Sequence, residues 1–177
     1  MTTKRIVFRR SDGVVEIINP ALNRVAELMA GGKTEDEAIA IIQANAFSKL
    51  PDRGFGLPED FEVMEASAIP QSQPGDREFR DALEKPGIGP PVVNMTKARS
   101  IHARKISAAW AKAVTVLQRR VDEATLEDRT ADITKAANDK AAVGGLDLTT
   151  ISTQIAGAAN PTALSAIWPT ELQEFKP

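Results

Sequence analysis

One run limits what this chain can fold into. From Met95 to Val121 apolar residues recur every three or four positions, and neither Pro nor Gly interrupts them. At about 100° per residue, Met95, Ala103, Ile106, Ala109, Trp110, Ala113, Val114, Val116, Leu117 and Val121 share one half of a helical cylinder. Lys97, Arg104, Lys105, Lys112 and Arg119 share the opposite face, and from Thr96 to Arg120 every charge is basic. A helix this long with one apolar side needs something to cover that side. The sequence supplies a cover directly afterwards. Thr125-Leu126-Glu127-Asp128 has the form of a helix start, and Leu126, Ile133, Ala137 and Ala141 make a second stripe that stops at Gly144-Gly145. The expectation is an antiparallel helical hairpin over residues 95–145, with Asp122, Glu123, Glu127, Asp128, Asp132 and Asp139 weighting its second half toward acid.

The first third has a different grammar. Lys4 to Arg10 and Val14 to Ile18 are β-branched runs around Ser11-Asp12-Gly13, which predicts a β-hairpin. Asn19-Pro20 reads as a cap and first turn for a helix with Leu22, Val25, Ala26 and Met29 on one side, ending at Gly31-Gly32. Thr34-Glu35-Asp36-Glu37 is a capping box opening a second helix, with Ala38, Ile41, Ile42 and Ala46 inward. Asp60 to Ala66 reads as a third strand. Pro and Gly gather in Ile69 to Asp76 and in Lys85 to Pro91, which are linker signals, and between them Arg77 to Glu84 is a strap with Phe79 and Leu83 facing inward. The predicted fold class is α+β, in four parts. Residues 1–70 form a small hairpin, helix and strand unit; 71–94 a Pro/Gly-rich linker and strap; 95–145 the helical hairpin; 146–177 a docking tail with one short helix, started by Asn160-Pro161 and stopped at Trp168-Pro169.

Composition matters for what fills the core. Hydrophobic residues make up 42% of the 177, but aromatics only 5% and tyrosine is absent, so the interior must be aliphatic, which favours packed helices. The formal net charge of -2 argues against a general nucleic-acid binder. With no cysteine there is no disulfide frame and no thiolate metal site. No apolar run reaches the length of a membrane span, and the N-terminus lacks a signal-peptide pattern, so a protein made in a cytoplasm and not embedded in a membrane is expected.

Motifs for catalysis are sparse. His102 is the only histidine and lies among Arg99, Arg104 and Lys105, without an acid at helical spacing to orient it; packing on the hairpin or surface exposure explains it better than a catalytic triad. Gly31-Gly32-Lys33-Thr34 has the residue types of a phosphate-binding loop but not the spacing or the preceding strand. No catalytic residue, cofactor or metal ligand is therefore expected. The basic face of Lys97, Arg104, Lys105, Lys112 and Arg119 is open to three readings: a solvated or acid-paired face, a partner surface, or a phosphate-contacting surface that lacks aromatics for base stacking. The tail segment NPTALSAIWPTEL is either a cap on the chain's own core or a plug for another protein.

The succession KRIVFRRSDGVVEIINP, TEDEAIAIIQA, the strap DREFRDALE, VVNMTKARSIHARKI and the terminal ALSAIWPTEL resembles a group of small tailed-bacteriophage proteins described as tail-fibre-associated, tail-fibre assembly or virion proteins. It departs from that group at Leu83, where a tryptophan is expected, and in an inter-helix segment poorer in glycine. The resemblance implies a non-enzymatic structural protein of the viral tail, bound to a tail fibre or baseplate protein, compatible with a homo-oligomer, and located in the virion after synthesis in the host cytoplasm. The alternatives are a transient fibre-assembly chaperone absent from the particle, and a nucleic-acid module using the basic face. Partner contacts are then expected at Ile106, Trp110, Val114, Leu117, Ile167 and Trp168.

Overall fold

The computed structural model describes residues 4–58, 60–70 and 78–177. The chain divides into two compact units, Met1–Asn94 and Met95–Pro177. It is an α+β protein, with a small antiparallel sheet in the first unit and long helices in the second.

In the first unit β1 (Lys4–Arg9) and β2 (Val15–Ile18) form the expected hairpin. Its turn needs Gly13, whose φ of 83° would strain a side chain. β3 (Phe61–Glu65) pairs with the other edge of β1, giving the order β2-β1-β3. Alternation along β1 sends Ile6 and Phe8 to one face and Val7 to the other, and all three are fully buried, so both faces are covered. Two helices follow the hairpin, α1 (Leu22–Ala30) and α2 (Glu35–Phe47). Phe47 of α2 meets Phe8 and Phe61 edge-to-face, with ring centroids 5.0 and 5.5 Å apart. The opposite face carries Val7, Val15, Ile17, Ile69 and Leu83, with Met64 and Val93 packed against them.

Leu83 and Val93 belong to a second small sheet, β4 (Leu83–Glu84) with β5 (Val92–Val93). The segment expected to be a linker is thus partly core. Phe79, Ala82 and Leu83 are buried as the inward-facing strap requires, and Lys85, the first residue of the supposed second linker, is also buried. Residues 71–76 of the first supposed linker, and Arg77 of the strap, lie outside the described residues.

Local chemistry sets the helix ends. The Thr34 capping box is formed: the Glu37 amide donates to the Thr34 hydroxyl at 3.3 Å and the Glu37 carboxylate accepts from the Thr34 amide at 2.9 Å. The Asn19-Pro20 start is not. Pro20 is buried, Ala21 stays extended, and α1 begins at Leu22 with no side-chain cap. Its expected apolar stripe reaches the core only through Val25, since Leu22 and Met29 remain exposed.

The second unit is built on α3 (Met95–Leu126), a helix of 32 residues, with α4 (Thr130–Gly144) folded back against it. The Trp110 indole donates to the Val143 carbonyl at 3.1 Å, and Lys140 bonds Gln118. These contacts fix the antiparallel hairpin. Its turn lies later than Thr125-Asp128 suggests, because the Thr125 hydroxyl donates back to the Val121 carbonyl at 2.7 Å and extends α3 instead of capping α4. Leu126 is consequently exposed, Asp128 takes a positive φ of 51°, and the inward positions of α4 shift from Ala137 and Ala141 to Ala136 and Val143.

The rest of the unit holds more structure than one short helix. α5 (Leu148–Gly157) is capped by Asp147, whose carboxylate accepts from the Thr149 and Thr150 amides at 3.0 and 3.1 Å. α6 (Pro161–Ser165) starts as expected, with Asn160 accepting from the Ala163 amide at 2.8 Å. A 3-10 turn, Thr170–Phe175, ends the unit. Leu164, Leu172 and Phe175 join Ala98, Ile106, Ala109, Ala113 and Leu117 of α3 among the buried residues, so the tail closes its own core.

Candidate functional site

That closure leaves an open groove in the second unit, about 1070 Å³ in volume, bounded by α5, the 157–159 connection, α6 and residues 166–171. Ile151, Ala158, Ala163, Ala166, Ile167 and Trp168 give it apolar walls; Asp147, Thr150, Gln154 and Glu171 give it polar groups. Two side chains of α3 hold those walls from behind. Arg99 donates to the Ala158 carbonyl at 2.9 Å, at the end of α5. His102, 1% exposed, has its Nε2 2.7 Å from the Ile167 carbonyl. Since a carbonyl only accepts, Nε2 carries the proton there. The only histidine is therefore a packing residue, though it secures the tail and not the hairpin.

Trp168 is fixed on several sides. Its indole N–H donates to the Leu172 carbonyl at 3.1 Å, the His102 ring lies edge-on at 5.9 Å, and the Lys176 ammonium sits 5.4 Å from the ring centroid. It is half-buried, so part of a rigid, amphipathic ring is left in the groove wall.

The residues expected to make partner contacts separate into three groups. Ile106 and Leu117 are 2% exposed and cannot touch a partner unless α3 is stripped of its cover; their helical spacing marked a core stripe and not a contact surface. Trp110 and Val114 are half-buried, and Trp110 spends its N–H on α4. Only Ile167 and Trp168 reach the groove. The structure joins to them Ile151 and Gln154 of α5, which the sequence signalled only through Asp147 followed by Leu148, Ile151 and Ile155 at helical spacing.

The basic stripe lies elsewhere and does not line the groove. Lys97, Arg104, Lys112 and Arg119 are exposed and Lys105 is half-buried. Arg119 lies 3.5 Å from Glu123 one turn along the helix. Arg120, beside the stripe, pairs with Glu174 of the 3-10 turn; this bond raises the guanidinium pKa and holds the Glu174 carboxyl below its ordinary value. A small charged cleft of about 190 Å³ between α3 and α4 is likewise internally matched, with Arg129 on Asp132 and Lys135 on Asp139.

Among the described residues no group of three or more His, Cys, Asp or Glu could hold a metal ion, and no helix is long and apolar enough to cross a membrane. The groove combines apolar walls with a few polar groups, as binding recesses generally do. No protein-family model, curated protein or solved structure matches the chain.

Proposed function

We propose that this chain is a non-enzymatic structural protein of a bacteriophage tail, associated with a tail fibre or baseplate protein through the groove of its C-terminal unit. The observation that carries the reading is the groove itself: a large apolar recess with a half-buried, three-sided anchored tryptophan in its wall. Aromatic residues of this kind dominate binding energy at protein interfaces, because a rigid ring loses little entropy when covered. The resemblance of its sequence segments to small phage-tail proteins supplies the context. The groove is lined by Asp147 and Glu171 and by no Lys or Arg, which supports protein contact over phosphate contact there.

Co-expression with tail fibre and baseplate proteins of the same phage, followed by size exclusion, tests the reading. Co-elution that weakens on Trp168→Ala is expected; separate elution from every one of those proteins refutes it. Mass spectrometry of purified virions then separates a structural component, present in stoichiometric amounts, from a chaperone that leaves before the particle is complete.

A further inference from the structure

The loop joining β4 to β5 in the N-terminal unit carries an apex that packs against nothing in the fold. Ile88, at its apex, is 99% exposed. On either side Gly87 and Gly89 hold φ values of 148° and 114°, which side-chain-bearing residues rarely adopt, and a Cβ at either would meet nothing within 4 Å. These glycines are thus required by the turn and not by any close neighbour.

The base of the loop is fixed. Lys85 has a side chain 1% exposed, and its ammonium donates to Glu62 Oε1 at 2.8 Å and to the Gly87 carbonyl at 2.6 Å. The same carboxylate accepts from the Gly89 amide, at 2.8 Å for Oε1 and 3.0 Å for Oε2. One ion pair, anchored on β3, therefore grips the residues immediately before and after Ile88. Burying an ammonium is unfavourable unless it is fully paired, and here the pairing is used to set a loop whose tip makes no core contact.

We propose that residues 85–91 form a preorganised finger whose Ile88 side chain enters an apolar socket on a partner protein, and that under the tail-protein reading above, on which this rests, the socket belongs to the fibre or baseplate subunit. The chemistry of the tip selects the partner class. Pro86, Gly87, Ile88, Gly89 and Pro90 carry no charge and no hydrogen-bonding side chain, and the ammonium of Lys85 is buried against Glu62. Nucleic acids and anionic membranes are held by exposed cations, which the tip does not offer. A concave apolar protein surface matches a single β-branched side chain on a fixed loop, and the fixed loop avoids most of the ordering cost of binding.

The test uses the full chain co-expressed with the fibre and baseplate proteins, comparing wild type, Ile88→Val and Ile88→Ser. Because Ile88 is exposed, neither substitution should shift the melting temperature. Ile88→Val, losing one methylene, should weaken the complex about fourfold, and Ile88→Ser at least about tenfold. A wild-type complex that Ile88→Ser binds equally well overturns the finger and leaves the tail reading standing. If wild type forms no complex with any of these proteins, both fall. Binding to anionic phosphatidylserine vesicles that Ile88→Ser abolishes would overturn the protein socket in favour of a lipid surface.

Discussion

The Lys85–Glu62 pair gives the sharpest check on the N-terminal unit. Glu62→Gln keeps an oxygen able to accept the Gly89 amide but removes the charge 2.8 Å from an ammonium whose side chain is 1% exposed. Removing one partner of a buried pair costs about 3–5 kcal/mol. Glu62 itself is 26% exposed, so water can partly replace the lost charge and the expected loss is about 2–3 kcal/mol. In a unit of this size that corresponds to a melting shift on the order of 10–20 °C. Lys85→Met combined with Glu62→Gln should recover more than about 1 kcal/mol of it, because no buried charge is then left alone. The pH dependence follows from the same contact. The Lys85 hydrogen bond, and then the Gly89 amide, hold the Glu62 carboxyl below its ordinary value of 4.5. Its contribution is therefore complete above that ordinary value and is lost as pH falls through the lower folded value. Glu62→Gln should lack this acid-sensitive part. Both tryptophans, Trp110 and Trp168, lie in the other unit, so fluorescence does not report on this one. The measurement is amide exchange of Ile6 and Val7 in β1, as a function of denaturant and pH. A Glu62→Gln effect under about 0.5 kcal/mol, with the single and double variants additive, would refute the pairing.

Other consequences are simpler to measure. Leu164, fully buried, should cost about 2–5 kcal/mol as Leu164→Ala, whereas Trp168, half-buried, should cost less as Trp168→Ala than the 3–5 kcal/mol of a core aromatic; chemical denaturation compares them, and a larger loss at Trp168 contradicts the burial order. Thr34→Ala removes the cap of α2 and should cost about 1 kcal/mol by thermal unfolding, while Thr34→Ser should be near neutral. His102→Phe keeps an aromatic ring beside Trp168 but leaves the Ile167 carbonyl without its donor. In a Trp110→Phe background, where Trp168 is the sole indole, its emission should shift to the red as the tail loosens; an unchanged spectrum would show that the hydrogen bond does not hold the tail.

Local rules were legible in the sequence wherever the deciding contact is local. The SDG turn, the Thr34 capping box, the Asn160-Pro161 start and the periodicity of α3 rest on bonds within a few residues, and all four are found. Boundaries failed where one short-range option competed with another. Thr125 has the right residue type for a cap, yet its hydroxyl found a carbonyl one turn back and the helix ran on. The buried residues of α4 are then Ala136 and Val143, and not Ala137 and Ala141. The Lys85–Pro91 segment misled for a different reason: Pro and Gly report backbone conformation, and they cannot report that Lys85 is buried against a carboxylate on a strand 23 residues away. The site was half visible. Ile167 and Trp168 stood out by type, but their partners Ile151 and Gln154 join them only when the tail folds back on α3.

A long amphipathic helix offers a contact surface, and the sequence predicts one along α3, yet the role of this helix in the groove is indirect. Ile106 and Leu117 are consumed by the core. Arg99 and His102, polar residues within the same helix, instead reach carbonyls of the tail that its own short helices leave without a partner. The end of α5 and the residue before Trp168 are thereby fixed to one rigid rod. A groove built from a ten-residue helix, a five-residue helix and a 3-10 turn would have little stiffness by itself. Tied to α3 at these two carbonyls, its walls keep their spacing, so under the proposed docking role little of the binding energy of Trp168 would go into ordering the tail.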